Sequence, residues 1–148
     1  MLIERAKGDL ATLDNLRGGV LAIAAFSDEK PPQGLVGLLD WRIPGKISGW
    51  MRRSFFEANF GEQMLFTPGR RIAVDKVLLF GAGPYATFHQ RRAEVAYAMV
   101  ESLLRLRERD LVVACDNAID FIAEACKGKP IDNLLLLNAE PGRKPSQA

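Results

Sequence analysis

Apolar residues in this chain gather into short blocks separated by glycine, proline and charged residues. Val20 to Phe26 (VLAIAAF) contains no polar position. Gly18-Gly19 precedes it, and Ser27 to Gly34, with Asp28, Pro31, Pro32 and Gly34, follows it. An uninterrupted apolar run of this length predicts a strand covered on both faces, and the stretch after it predicts a loop. Arg71 to Phe80 predicts another strand. Its first half alternates, Val77 to Phe80 is uniformly apolar, and Gly81-Ala82-Gly83-Pro84 ends it. Leu111 to Cys115 predicts a third central strand and Leu134 to Leu137 a last short one. Leu2 to Ala6 predicts a short opening strand at an edge. Gln63 to Thr67 predicts a strand closed by the turn Pro68-Gly69.

Helical periodicity fills the intervals. Leu35 to Trp41 predicts a short helix, broken by Pro44 and Gly45. Ser48 is placed to cap a second helix, with Ile47, Trp50, Met51 and Phe55 on one face and Gly61 ending the segment. The clearest helix has Ala96, Met99, Val100 and Leu103 at i, i+3, i+4 and i+7, and Thr87 with Gln90 makes a capping-box pattern at its start. Asp116 or Asn117 is expected to cap a helix carrying Ile119, Ile122 and Cys126, which Lys127-Gly128 and Pro130 end. Strands alternating with helices, several of them apolar throughout, predict a mixed or mostly parallel sheet with helices on both faces.

Composition adjusts this picture little. The 148 residues are 48% hydrophobic and 26% charged, the balance of one globular domain. We place that domain at residues 1–138, with a polar tail at 139–148. The net charge of +2, from 20 basic and 18 acidic side chains, does not point to a nucleic-acid or membrane partner. Two cysteines, Cys115 and Cys126, make no disulfide framework in a chain of this size. The first residues are charged rather than apolar, and Val20 to Phe26 is too short to cross a bilayer. These features predict a cytoplasmic protein with buried free thiols.

Several segments, taken in order, resemble the amino-terminal domain of the leucyl aminopeptidase family. Gly34-Leu35-Val36-Gly37-Leu38-Leu39-Asp40 is similar to that domain's small-residue helix ending in Leu-Asp. Phe60-Gly61-Glu62 stands where that domain has a Phe-x-Gly stretch leading to a Gly-Glu and a strand, and resembles it. Val77-Leu78-Leu79-Phe80-Gly81-Ala82-Gly83 resembles its strand ending in Gly-x-Gly, followed here as there by an alanine-bearing helix (Ala93, Ala96, Ala98). The resemblance runs from about Leu13 to Cys126. It implies a three-layer αβα domain related to the macrodomain fold. It also implies that the family's two-metal peptidase site belongs to a separate carboxy-terminal domain, so that no metal, cofactor or catalytic residue is expected in this chain.

The residues themselves offer few chemistries. His89 is the sole histidine and cannot form a multi-histidine metal site. A Cys115–His89 nucleophile pair lacks any recognisable motif, and a buried cysteine with a surface histidine is the simpler reading. Asp28 and Asp116 end strands, where loop solvation and helix capping account for them. The arginine pairs Arg52-Arg53, Arg70-Arg71 and Arg91-Arg92 are interleaved with acids, which reads as a solvated face and allows weak DNA binding at most. Gly81-Ala82-Gly83 is the most suggestive loop, because a glycine turn between a core strand and a helix start binds phosphate in many α/β proteins. It lacks a third glycine, since Ala86 stands there. A ligand, if one binds, is expected over Gly81, Ala82 and Gly83, near the N–H groups of Phe88 to Gln90, with Asp28 touching a ribose or base and His89 close by.

Three function classes follow. The first is a non-catalytic interaction or regulatory module, associating with itself or with a separate peptidase subunit. The second is a binding domain for a phosphate-bearing small molecule such as a nucleotide. The third is an enzyme acting on such a ligand. Trp41 and Trp50, flanking one loop, are the residues from which self-association is expected.

Overall fold

Buried strands dictate the architecture. The computed structural model describes residues 1–115 and 117–139 of the chain. Among them, six strands form one sheet: β1 (Leu2–Gly8), β2 (Val20–Ala25), β3 (Gln63–Phe66), β4 (Lys76–Gly81), β5 (Asp110–Ala114) and β6 (Asn133–Ala139). Their order across the sheet is β1-β6-β5-β2-β4-β3, and every pairing is parallel except β3 with β4. All six residues of β2 are buried, as the uninterrupted apolar run requires of a strand at the centre of a two-sided sheet.

Side chains from alternate positions feed two cores. Val20, Ala22 and Ala24 of β2 face a layer made by α4 (Phe88–Leu104) and α5 (Ile119–Ala125). Leu21, Ile23 and Ala25 face the opposite layer, made by α1 (Leu10–Asp14), α2 (Gly34–Arg42) and α3 (Lys46–Arg52). The chain is therefore a three-layer αβα domain with a mixed, mostly parallel sheet. None of its helices, among the described residues, is long and apolar enough to cross a membrane.

Several expectations change in detail. The five-residue α1 is too short to show a helical period in the sequence. Asp9 starts it, its carboxylate accepting the Thr12 N–H at 2.9 Å. Ser48 does not cap α3. It lies inside the helix, its hydroxyl donating to the Gly45 carbonyl, and Asp40 of α2 accepts the Ser48 N–H at 2.8 Å instead. Phe55 is 64% exposed, because α3 has already ended and Ser54 turns left-handed (φ 59°); Phe56 enters the core in its place. The strand expected from Arg71 begins only at Lys76. Ile72 and Val74 still bury, from an irregular segment whose Ala73 carbonyl accepts the Gly18 N–H and whose Asp75 N–H bonds to Gly19. Asn117 does not cap α5. Its side chain donates to the Tyr85 hydroxyl at 3.0 Å, and the helix starts after Ala118 without a side-chain cap. Asp116 and the tail beyond Ala139 lie outside the described residues.

Candidate functional site

Parallel strands of an open α/β sheet present their carboxyl ends together, and ligands of such folds sit in the crevice there. Here β2 and β4 end side by side, with Ala25 opposite Gly81 in register. The loop leaving β4 is Gly81-Ala82-Gly83, and all three residues are buried.

The backbone of this loop is engaged at every N–H. Gly81 donates to the Glu62 carbonyl (2.7 Å) and accepts from Gly61 (3.0 Å). Ala82 donates to Ala25 (2.8 Å). Gly83 donates to Ala58 (3.0 Å) and accepts from Ser27 (3.0 Å). Residues 57–62 therefore run directly across the glycines. A Cβ added to Gly81 would collide with the Asn59 carbonyl oxygen and stand 2.7 Å from the Ala58 carbonyl carbon. Glycine is required at 81 because a second stretch of backbone passes there. At 83 it is required by φ +76°, which L side chains rarely adopt.

Glu62 holds the crossing segment in place. Its carboxylate accepts the N–H groups of Glu57 and Asn59, each at 3.1 Å. The turn so formed carries Ala58 at φ 59°, buried above the sheet end. Local sequence gave no signal for this role of Glu62, since its partners share no motif.

Asp28 meets the loop, though by a different contact from the one expected. Its two carboxylate oxygens accept the Tyr85 N–H (2.8 Å) and the Ala86 N–H (3.2 Å). Tyr85–Thr87 form a 3-10 turn that extends α4 backward, so these are the first donors of the combined helix, the ones that have no acceptor within it. A helix start carries partial positive charge on such donors and attracts an anion. Here the anion is the chain's own aspartate. The next donors are also satisfied, Thr87 N–H by Pro84 and Phe88 N–H by Tyr85. Thr87 makes no capping box; its hydroxyl donates to the Pro84 carbonyl at 3.4 Å, because the helix has begun before it.

His89 lies exposed on the first turn of α4, and its carbonyl accepts a hydrogen bond from Arg92 Nε at 3.2 Å. Around the loop, three aromatic rings lock the strand ends together. Phe26 meets Tyr85 edge-on at 4.8 Å and Phe88 at 4.9 Å. The Tyr85 hydroxyl accepts from Asn117, which ties in the segment after β5. At the rim, Arg91 lies over Phe60 (4.6 Å) and Arg92 over Phe121 (5.0 Å), while Arg91 also pairs with Glu94. A cavity of about 290 Å³ lies nearby between Lys30, Pro31 and Pro32 and the α3 residues Ser48, Met51 and Arg52.

Among the described residues, no three His, Cys, Asp or Glu side chains come together as a metal site would need. Cys115 and Cys126 are both buried. Burial pushes the Cys126 thiol up to about 11 from its ordinary 9.0, with Lys129 pulling weakly the other way. A thiol that ionises later in the folded than in the unfolded chain favours folding below the lower value. That contribution is lost as pH rises from 9 to 11. Denaturation midpoints should therefore fall over this range more steeply for the wild type than for Cys126→Ala. Equal slopes would show that Cys126 ionises as freely folded as unfolded.

No family model matches the chain, and no curated protein matches it in sequence. Solved structures do match it. Tomato leucine aminopeptidase, in a mutant form, superposes with a TM-score of 0.65 over 97% of this chain at 17% identity. This chain covers 34% of that enzyme, about a third of its length. The macrodomain of Mycobacterium tuberculosis DarG superposes with a TM-score of 0.65 over 91% of this chain at 12% identity, and 97% of that domain is covered. The macrodomain of Thermus aquaticus DarG gives 0.60 over 95% of this chain and 99% of its own, at 14% identity. The likeness is one of fold: the chain is built as a macrodomain-like αβα unit, of the kind found in the N-terminal region of leucine aminopeptidase.

Proposed function

We propose that this chain is a non-catalytic interaction or regulatory module on a macrodomain-like scaffold. One observation carries the reading: the N–H groups of the glycine loop and of the helix start, at Gly81, Ala82, Gly83, Tyr85, Ala86, Thr87 and Phe88, all have acceptors within the chain itself. An anion entering there must displace Asp28, which is a charge-assisted acceptor of two N–H groups. Displacing a tethered carboxylate removes most of what a phosphate would gain. The solved leucine aminopeptidase carries this fold as a third of a larger enzyme. The partners we propose are accordingly proteins, either a second copy or a separate peptidase subunit. Two buried thiols suit a reducing cytoplasm.

A thermal-shift screen tests this with ADP, ADP-ribose and inorganic phosphate as probes. A ligand at a hundred times its dissociation constant adds roughly 2.7 kcal/mol to stability. No shift is expected with any of the three at millimolar concentration. A saturable rise with a nucleotide would replace this reading by a phosphate-ligand domain. We further expect no zinc- or manganese-dependent hydrolysis of leucine p-nitroanilide; turnover abolished by chelation would refute that.

A further inference from the structure

We propose that the module pairs with a second copy of itself through the free edge of β3, antiparallel and centred on Leu65. The proposal rests on the interaction-module reading and names its surface and partner.

A sheet edge offers unpaired N–H and C=O groups, and proteins guard such edges with charges when they are not used. The two edges of this sheet are treated differently. The β1 edge carries Glu4, Arg5 and Lys7. A continuous sheet made by a two-fold axis sets residues of equal parity opposite each other, because opposed side chains must share a face. Centring on the middle of β1 then opposes Glu4 to Glu4 or Arg5 to Arg5, and like charges directly opposite are destabilising. The β3 edge has no charged residue from Gln63 to Gly69. A two-fold axis at Leu65 opposes Leu65 to Leu65, Met64 to Phe66 and Gln63 to Thr67.

The backbone agrees with that centre. Gly81 N–H donates to the Glu62 carbonyl, so the even-numbered residues of this strand bond toward β4. Gln63 and Leu65 therefore turn their N–H and C=O groups outward. Leu65 is itself 47% exposed, and Tyr97 (60%) and Phe60 (38%) line a groove of about 400 Å³ between β3 and α4 together with Gln63, Glu101 and Arg105. On the other face, Trp50 stacks edge-on against Phe66 at 5.0 Å, which stiffens the edge strand. Trp41, exposed alone on α2, is not part of this surface.

Light scattering of the full chain across protein concentration provides the test. We expect a species of twice 16.4 kDa. Leu65→Lys, which sets like charges face to face on an already exposed position, should raise the dissociation constant by about tenfold or more. Ile3→Lys on the β1 edge should leave it unchanged. Opposed residues in a hydrogen-bonded antiparallel pair have Cα atoms about 5.5 Å apart, within disulfide range. Leu65→Cys should therefore oxidise to a covalent dimer, and Ile3→Cys should not. A monomeric wild type, a Leu65→Lys dimer as tight as wild type, or no preference for cross-linking at 65 would each overturn the pairing. These outcomes leave the ligand screen untouched, so the failure of the edge and the failure of the module reading are told apart.

Discussion

Gly81→Ala will destabilise the fold by about 3 kcal/mol or more, the largest single effect expected at the candidate site. The added methyl meets backbone rather than a movable side chain: the Asn59 carbonyl oxygen and the Ala58 carbonyl carbon and Cα. Overpacking of a tight core typically costs 1–3 kcal/mol when neighbours can shift. Here they are pinned. The crossing segment is bonded to the glycine loop through Gly61 to Gly81, Gly81 to Glu62 and Gly83 to Ala58, and Glu62 braces it from within. Moving it breaks several of these at once. For a chain of this size, roughly 3 °C of melting temperature accompanies each kcal/mol, so thermal melts should show a drop of about 10 °C. Gly61→Ala is the control. Unlike Gly81, it has a positive φ (+86°), and it opens onto empty space. It should cost only the left-handed penalty, about 1–2 kcal/mol. If the two variants melt together, the crossing segment does not press on Gly81.

Asp28→Ala should lower stability by about 1–2 kcal/mol, the range of a lost helix cap with a charge-assisted bond at a helix start. The loss has two parts: two N–H groups lose their acceptor, and the helix loses the negative charge that complements its positive end. Asp28→Asn keeps one acceptor oxygen and should fall between. The informative measurement is rescue. If Asp28 occupies the place of an anion, removing its side chain exposes the Tyr85 and Ala86 donors to solvent anions. Phosphate or sulfate should then raise the melting temperature of Asp28→Ala more than that of the wild type. An unchanged melt for Asp28→Ala, or an equal response of both proteins to phosphate, would remove the idea of an internal anion.

The glycine loop shows how local and distant information divide. Its position after a core strand and before a helix was legible, because apolar runs and helical spacing are properties of neighbouring residues. Its meaning was not. The same Gly-Ala-Gly serves whether the space above it admits a ligand or another part of the chain. Residues 57–62 fill that space, and nothing in their own segment of sequence says that they cross the end of the sheet. Asp28 is likewise ordinary in its own segment; its partners Tyr85 and Ala86 stand 57 and 58 positions away.

By itself, the sequence determined the layers. Uninterrupted apolar runs at β2, β4 and β5 require cover on both faces, and the i, i+3, i+4, i+7 spacing of α4 supplies part of it. It also placed Val20 at the start of the central strand. Only the tertiary structure decided which strand would be an unguarded edge, and which groups at the sheet end would be free. Strand order depends on contacts closed across long loops, and a donor's partner depends on which backbone arrives above it. Neither is encoded in the period of a single segment, so both become visible when the sheet brings Ala25, Ala58, Glu62 and Gly81 to one place.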